Sequence, residues 1–206
     1  VNNIYSIIIM KIRESENENK IVLSKFKFSC DDKDESIPPP LPQMLNFFML
    51  ICGRPGSGKT SLILNLVAKR GKLYNKKFDR VYIFSPSLMT MANNPFKDLP
   101  EEQLHTELTE ENLSTTLNDI KDSSEKILFI MDDVSNDMKK SAAVQTILSK
   151  MLMNRRHLTG SGGSTSFIIT SQVYNKIPAP IRKTASHIII YHTKNKKELE
   201  TIYDEL

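Results

Sequence analysis

A short glycine-rich run, GRPGSGKT at positions 53–60, carries the clearest chemistry in the chain. It matches the pattern G-x-x-x-x-G-K-[ST], whose backbone turns tightly and points N–H groups at phosphate oxygens. The lysine supplies a mobile positive charge for the β- and γ-phosphates, and the next hydroxyl offers a ligand to Mg²⁺. The run follows an apolar strand and opens a helix, as the pattern requires, so the sequence predicts an ATP site. The residues assigned to nucleotide binding are Gly53, Arg54, Pro55, Gly56, Ser57, Gly58, Lys59, Thr60 and Ser61.

An acidic pair follows another apolar strand in the run ILFIMDD at 127–133. Asp132 and Asp133 come at the carboxyl end of that strand, which is where open α/β sheets bind their ligands. We assign Asp132, together with Thr60, to Mg²⁺ and Asp133 to polarising the attacking water. The second acid favours hydrolysis of ATP by water over phosphate transfer to a small molecule.

Three further side chains are candidates for contact with the γ-phosphate. Gln172 ends the run SFIITSQ and could reach the phosphate or the attacking water from a neighbouring strand end. Arg155 and Arg156 follow a predicted helix and precede a glycine loop, where an arginine could enter the site of a neighbouring subunit. The alternative is an arginine pair that neutralises the end of the helix. His157 beside them is expected to be structural.

The elements that must position these residues alternate between strand and helix. The sequence predicts strands at 47–52, 80–84, 126–131, 166–170 and 187–191, and helices at about 59–69, 109–121, 138–157 and in the C-terminal tail. Thr109 is the expected N-cap of the second helix and Gly71 the expected C-cap of the first. This alternation is typical of an α/β domain with a mainly parallel sheet flanked by helices.

The position of the strand RVYIF in the chain bears on the branch of P-loop proteins. It lies between the phosphate loop and the acidic pair in sequence. This suggests an extra strand between the two in the sheet, an arrangement typical of the additional-strand hydrolases and unusual among small-molecule kinases.

The length of 206 residues fits one domain with extensions. We divide the chain into an N-terminal extension at 1–36, a Pro-rich linker at 37–44 and a P-loop ATPase domain at 45–206. Residues 1–9 precede the first methionine and are candidates for non-native sequence, and the tail lacks a C-cap signal, which indicates a truncated C-terminus. The run IPPPLP favours polyproline II. No apolar run approaches the length of a membrane span, and the two cysteines exclude a disulfide framework.

Charge is distributed unevenly along the chain. From Asp98 to Glu125 there are nine acidic residues and one basic residue, which is compatible with a solvated face. From Met138 to Lys197 there are eleven Lys or Arg and no acidic residue. This second stretch predicts a positive surface for a polyanion such as nucleic acid or nucleotide phosphates.

The order GRPGSGKT, ILFIMDD, NRRH, FIITSQ and IPAPIRK resembles the genome-packaging ATPases of large DNA viruses, the vaccinia-type branch of the FtsK–HerA superfamily. The resemblance covers roughly residues 45–195, and its specific part is the RH pair before a strand that ends in Gln. It implies a RecA-like, Mg²⁺-dependent ATPase that forms a homo-oligomeric ring and drives double-stranded DNA into a preformed capsid. It places Arg156, Arg182 or both near a subunit interface. The loop TGSGGST is longer than the family pattern leads us to expect.

The same resemblance implies partners and a place of action. The partners are double-stranded DNA and a capsid or portal-like viral protein, and the place is the viral assembly site in the host cytoplasm or the virion. Because the arginines are assigned to phosphate groups, the expected DNA-backbone contacts are other basic residues, such as Lys176, Lys194, Lys196 and Lys197.

Three other interpretations stay open at this point. A cellular or plasmid DNA-pumping ATPase of the same superfamily usually carries extra domains, for which this chain has no room. A small-molecule kinase would need an arginine-rich lid and a pocket for its substrate base. A nucleotide switch without hydrolysis is disfavoured by Lys59, Asp132 and Asp133.

Overall fold

The structure is a computed structural model that describes residues 31–67, 73–87 and 96–206. The expected C-cap Gly71 and most of the N-terminal extension lie outside the described residues. Within them, none of the helices has the length and apolar character needed to traverse a lipid bilayer.

The described residues form one six-stranded sheet at the centre of the domain, and every pair of neighbouring strands in it is parallel. The strands are β1 (Phe48–Cys52), β2 (Arg80–Phe84), β3 (Leu104–His105), β4 (Lys126–Met131), β5 (Ser164–Ser171) and β6 (His187–Ile190). Their order across the sheet is β3-β2-β4-β5-β1-β6. All of β1 and β5, and all of β4 except its first residue, is buried, as expected for parallel strands covered on both faces.

Helices cover both faces of this sheet. They are α1 (Lys59–Val67), α2 (Glu110–Ile120), α3 (Ser135–Lys140), α4 (Ala142–Met153), α5 (Ala179–Arg182) and α6 (Lys196–Glu205), with 3₁₀ turns at Glu101–Gln103 and Tyr174–Lys176. Ile63 and Leu66 of α1 belong to one core cluster. The cluster on the opposite face takes residues from α2 and α4 and contains the stacked rings of Phe129 and Phe167, whose centroids lie 4.9 Å apart. The predicted α/β class with a parallel sheet is confirmed.

A strand does lie between the phosphate-loop strand β1 and the acidic strand β4, but its identity differs from the one suggested by chain order. That strand is β5, which pairs with β1 on one side and β4 on the other. The strand RVYIF is β2, and it pairs with the opposite side of β4. Chain order therefore correctly suggested that a strand lies between β1 and β4, but it wrongly suggested RVYIF as that strand. The reason is that the pairing of parallel strands depends on the crossovers between them.

The single helix predicted at 138–157 is wrong, because two helices occupy this region. Ser141 has φ −133°, an extended conformation, and its hydroxyl accepts a hydrogen bond from the N–H of Val144 at 3.3 Å. This side chain caps α4 and separates it from α3. The predicted cap of α2 is confirmed, since Thr109 Oγ1 accepts from the N–H of Asn112 at 3.1 Å.

The Pro-rich segment at 37–42 folds back as a turn, whereas polyproline II would extend without internal hydrogen bonds. The N–H of Leu41 donates to the carbonyl of Pro38 at 3.1 Å. Ile37 is fully buried in the core cluster on the α1 face, and Tyr74 Oη donates to the carbonyl of Pro42 at 2.8 Å. This segment is therefore packed onto the domain.

Candidate nucleotide-binding site

The phosphate loop at 53–58 joins β1 to α1 and requires glycine for two different reasons. Gly58 has φ +95°, a left-handed conformation that glycine adopts without strain. A Cβ on Gly53 would lie 2.7 Å from both Ser57 Oγ and the Cβ of Tyr191, so the loop has no room for a side chain there. The loop backbone is thus shaped by residue types that the pattern fixes.

Lys59 begins α1 and folds back over the loop. It is 8% exposed, and its Nζ donates to the carbonyl oxygens of Gly53 at 2.6 Å and Arg54 at 3.2 Å. The helix that it begins presents unpaired backbone N–H groups to the loop, an arrangement that attracts anions. Among the described residues, the side chain of Lys59 is therefore held within the loop by these two carbonyls, and phosphate oxygens can replace them as acceptors.

Ser57 supplies a second sign that the loop fits a phosphate group. Its hydroxyl is buried and, among the described residues, has no hydrogen-bond partner. A buried hydroxyl without a partner is unfavourable, and a bound oxyanion would satisfy it. The remaining predicted loop residues, Arg54, Pro55 and Gly56, lie exposed at the tip, and Ser61 lies exposed on the first turn of α1.

Asp132 lies where three elements meet. It follows β4, is 8% exposed, and accepts two hydrogen bonds. Thr60 Oγ1 of α1 donates to its Oδ2 at 3.2 Å, and Thr170 Oγ1 of β5 donates to its Oδ1 at 2.6 Å. The structure therefore brings together the predicted metal ligands Thr60 and Asp132. Magnesium is commonly held by one or two protein oxygens together with substrate phosphates, so this pair fits that ion.

Asp133 and Gln172 also meet, as their positions at the ends of neighbouring strands predict. Gln172 Nε2 donates to Asp133 Oδ2 at 2.6 Å. The backbone of Asp133 has φ +56°, which residues other than glycine seldom adopt, and its N–H donates to Thr170 Oγ1 at 2.9 Å. The carboxylate of Asp133 is thus held by Gln172.

Sequence reasoning missed Thr170 and Glu198, which support the site from behind. Thr170 is fully buried in an apolar strand, and a hydroxyl two residues before the terminal Gln was the available signal. Glu198 of α6 is 6% exposed and accepts from the N–H of Tyr174 at 2.5 Å and from Thr193 Oγ1 at 2.7 Å. It ties the segment after Gln172 to the C-terminal helix through residues too distant in sequence to predict.

Cys52 ends β1 immediately before the phosphate loop. Its thiol is buried, and burial raises the pKa of Cys52 to about 12. At neutral pH this side chain is therefore a protonated, apolar group that packs under the loop.

Arg182 is engaged within its own chain. Its guanidinium makes a bidentate pair with Glu205 of α6, at 2.7 Å from Nε and 2.5 Å from Nη2, and lies 5.2 Å from the ring centroid of Tyr174. The hydrogen bonds to Glu205 raise the pKa of Arg182, and the same bonds lower the pKa of Glu205. In this structure Arg182 joins α5 to α6.

Arg155 and Arg156 lie at the edge of the sheet opposite the phosphate loop. Arg155 Nε donates to the carbonyl of Asn46 at 2.6 Å, just before β1, and its Nη1 donates to the carbonyl of Leu152 in the last turn of α4. The five residues of β1 span about 17 Å, which separates this carbonyl from the loop. Burial lowers the pKa of Arg155. Its contacts match the helix-end alternative.

Arg156 differs from its neighbour in exposure. Its side chain is 46% exposed and pairs with Asp31 at 3.2 Å. The surface position leaves Arg156 accessible to a second subunit, whereas Arg155 is fastened to backbone carbonyls of its own chain.

Comparison with known proteins gives one family and several related folds. The model of the family described as Poxvirus A32 protein matches residues 42–205. No curated protein matches the sequence at a significant level. Among solved structures, the genome packaging NTPase B204 from Sulfolobus turreted icosahedral virus 2, in complex with AMP, is similar with a TM-score of 0.54 and 17% identity, over 79% of this chain and 83% of that chain.

Two other solved structures are larger than this chain. The cytoplasmic domain of EssC has a TM-score of 0.58 and 19% identity, over 82% of this chain and 37% of that one. A RuvB variant from Thermotoga maritima has a TM-score of 0.45 and 14% identity, over 77% of this chain, which spans 42% of the RuvB chain. At such identities the likeness to B204 and EssC shows the fold alone, and it confirms the RecA-like P-loop NTPase fold expected from the sequence.

Proposed function

Because the chain belongs to the poxvirus A32 protein family, we propose that it is an ATP-hydrolysing motor that moves double-stranded DNA during the packaging of a viral genome. The observation that carries the proposal is the side-chain network at the phosphate loop, in which Thr60, Asp132, Asp133 and Gln172 are linked through Thr170. The packaging NTPase B204 supports the choice of an adenine nucleotide, since it was solved with AMP.

The proposed roles follow from the contacts. Lys59 exchanges the carbonyls of Gly53 and Arg54 for phosphate oxygens of ATP. Thr60 and Asp132 would hold Mg²⁺, which when bound neutralises charge on the phosphates. Asp133 accepts a proton from the attacking water, and the amide of Gln172 holds its carboxylate in place.

An arginine from a second subunit completes the site in this proposal. Arg156 is the best placed of the three predicted arginines, because its side chain is 46% exposed and makes a surface ion pair with Asp31, whereas Arg155 donates to backbone carbonyls and Arg182 makes a bidentate pair with Glu205. A homo-oligomeric ring would bring Arg156 of one subunit to the phosphate loop of the next, where a guanidinium stabilises charge on the transferred phosphoryl group.

The proposed DNA contact is a lysine cluster at the start of α6. Lys194, Lys196 and Lys197 are exposed, and Asn175 Nδ2 donates to the carbonyl of Lys197 at 3.4 Å, which brings the loop of Lys176 alongside. Other exposed lysines of the acid-free stretch lie on α3 and α4. A motor that acts on any sequence should bind backbone phosphates, which this lysine cluster can do.

The partner and the place of action rest on family membership. We propose a capsid or portal-like viral protein as the docking partner and the viral assembly site of the host cytoplasm, or the virion, as the place of action.

The deciding experiment measures phosphate release from ATP with and without duplex DNA, in the absence of any small acceptor. The proposal expects Mg²⁺-dependent release that DNA stimulates and that Lys59→Ala abolishes. Release that needs a small acceptor would favour a kinase, and binding without release would favour a nucleotide switch.

A salt titration of duplex binding tests the lysine cluster. Neutralising Lys194, Lys196 and Lys197 to Gln should reduce the log–log salt slope by about 2.7, at about 0.9 for each phosphate that is no longer neutralised. The matched control neutralises Lys139, Lys140 and Lys150 on α3 and α4 and should leave the slope unchanged. Equal slopes for the parent and the first variant would exclude this lysine cluster as the DNA contact.

A further inference from the structure

Strand β5 carries hydroxyl side chains at both of its ends, and their surroundings differ. At its start, the hydroxyls of Ser164, Thr165 and Ser166 are buried and have no hydrogen-bond partner in the described part of the chain. Near its end, the hydroxyl of Thr170 is equally buried but makes two hydrogen bonds, both to the acidic pair. The same buried strand therefore contains a partnered hydroxyl and, within the described residues, unpartnered ones.

The direction of the two hydrogen bonds at Thr170 is fixed by chemistry. The N–H of Asp133 can only donate, so Thr170 Oγ1 accepts that bond at 2.9 Å. The one proton of the hydroxyl is then available to Asp132 Oδ1 at 2.6 Å. A hydroxyl is the smallest group that can accept from a backbone N–H and donate to a carboxylate at the same time.

These two bonds have separate consequences for the acids. With Oδ1 of Asp132 bonded to Thr170, its Oδ2 faces Thr60, the other predicted metal ligand. The backbone of Asp133 stays at φ +56°, and its side chain reaches Gln172. The conformations of both acids thus depend on one side chain that itself lies behind them in the sheet.

We infer that Thr170 is a positioning residue. Its single hydroxyl orients both the metal-binding acid Asp132 and the water-activating acid Asp133. The inference rests on the proposed function, since it assigns Thr170 to the same hydrolytic site. Replacing a residue that hydrogen-bonds to a metal ligand and orients it commonly changes metal affinity or activity by about 10–100-fold.

The test compares Thr170→Val, which keeps the shape and removes the hydroxyl, with Thr170→Ser, which keeps the hydroxyl. We expect Thr170→Val to lower kcat by about 10–100-fold and to raise the Mg²⁺ concentration for half-maximal activity by a similar factor. The affinity for a fluorescent ATP analogue in EDTA should stay at the parental value, while the increase in affinity on adding Mg²⁺ should shrink. Thr170→Ser should restore both properties.

Thr165→Val is the matched control, because it removes a buried hydroxyl without a partner from the same strand, as far as the described residues extend. It should leave kcat, the Mg²⁺ dependence and nucleotide affinity at the parental values. If Thr170→Val does not fold, Thr170→Ala provides a second variant without the hydroxyl. Failure of both to fold beside a folded Thr170→Ser would assign the hydroxyl to stability alone and overturn the inference.

Failure of the inference and failure of the proposed function give different results. A parent protein that binds the ATP analogue without hydrolysing it contradicts the proposed function, and the Mg²⁺-dependent increase in affinity still separates Val from Ser at position 170. A parent that hydrolyses ATP, beside a Thr170→Val protein with parental kcat and Mg²⁺ dependence, overturns the inference and leaves the proposed function standing.

Discussion

The two ends of the parallel strands hold polar side chains in different ways. We call the side of the sheet where the strands finish, next to Asp132 and Gln172, the carboxyl edge, and the side where they begin, next to Asn46 and Arg155, the amino edge. At the carboxyl edge, side chains bond mainly to other side chains, as Thr60 does to Asp132 and Gln172 does to Asp133. At the amino edge, Arg155 bonds to backbone carbonyls, and Arg156 pairs with Asp31 near the surface. Side chains at the carboxyl edge can exchange their contacts when a ligand binds, as proposed for Lys59, whereas the guanidinium of Arg155 links the end of α4 to the segment before β1.

This difference follows from the parallel sheet. Residues that come directly after parallel strands all lie at one edge, so Asp132 and Gln172 are brought to the loop that follows β1. Residues that end a helix before the next strand lie at the other edge, as Arg155 does. Position relative to a strand, more than residue type, therefore decides which predicted groups lie beside the phosphate loop.

A substitution at the carboxyl edge should cause the largest loss of ATP turnover. Asp133→Asn should bind ATP with near-parental affinity, because Asp132 still serves the metal, while turnover falls by about 10²–10⁴-fold, the typical contribution of general acid–base catalysis. The measurement is steady-state hydrolysis together with nucleotide titration. Asp122→Asn, an exposed acid after α2, is the control and should keep parental turnover. Parental hydrolysis by Asp133→Asn would remove Asp133 from its assigned role.

Arg156 tests whether a residue at the amino edge acts in the nucleotide site of a second subunit. Arg156→Ala should leave ATP affinity nearly intact and reduce turnover by up to about 10³-fold, as removal of other trans-acting arginines does. Mixing it with Lys59→Ala should restore part of the activity, because a mixed ring can pair an intact loop with an intact arginine. Absence of rescue, with turnover independent of protein concentration, would favour a surface role for Arg156.

Arg155→Ala should act on stability. It removes the guanidinium that donates to the carbonyls of Asn46 and Leu152, at a cost of about 1–3 kcal/mol in the free energy of unfolding. Denaturant unfolding measures this decrease. If instead Arg155→Ala kept parental stability and abolished turnover, the amino edge would have a catalytic part that its contacts within one chain do not reveal.

Ile37 tests whether the Pro-rich segment at 37–42 contributes to the stability of the domain. Ile37→Ala should lower the free energy of unfolding by about 2–5 kcal/mol, because Ile37 is fully buried and the change leaves a cavity. The affinity for nucleotide should not change. Glu35→Ala, at an exposed position two residues away, is the control. A neutral Ile37→Ala would mean that this segment serves as a linker and contributes little to the stability of the domain.

Much of the carboxyl edge could be predicted because its signals are local. The glycine pattern, the acids after an apolar strand and the cap at Thr109 each depend on residues within a few positions of one another. Gln172 was expected at the γ-phosphate or the attacking water only because parallel strands end at one edge.

The features that were missed depend on contacts across long stretches of chain. The bonds from Thr170 to Asp132 and from Arg182 to Glu205 join residues 38 and 23 positions apart. The place of β5 between β1 and β4 depends on crossovers, which hydrophobic patterns do not encode. The break at Ser141 was also missed, because a helical pattern does not show whether a serine continues one helix or caps the next.

The smallest expected effect concerns an ion pair at the amino edge. Hydrogen bonds from Lys77 and Ser36 lower the pKa of Asp34 from 3.8 to about 2, and Lys77 Nζ lies 2.6 Å from its Oδ2. A folded-state pKa below the unfolded value stabilises the fold above about pH 4, and this contribution is lost as the pH falls towards 2. Because both side chains are about a quarter exposed, solvent screening keeps it below about 1 kcal/mol. Unfolding of the parent and Asp34→Asn from pH 7 to pH 2.5 should show a small difference that closes below about pH 4. A difference of several kcal/mol at pH 7 would mean that ionic contacts, more than the buried Ile37, hold this segment to the domain. A difference that grows in acid would contradict the lowered pKa of Asp34.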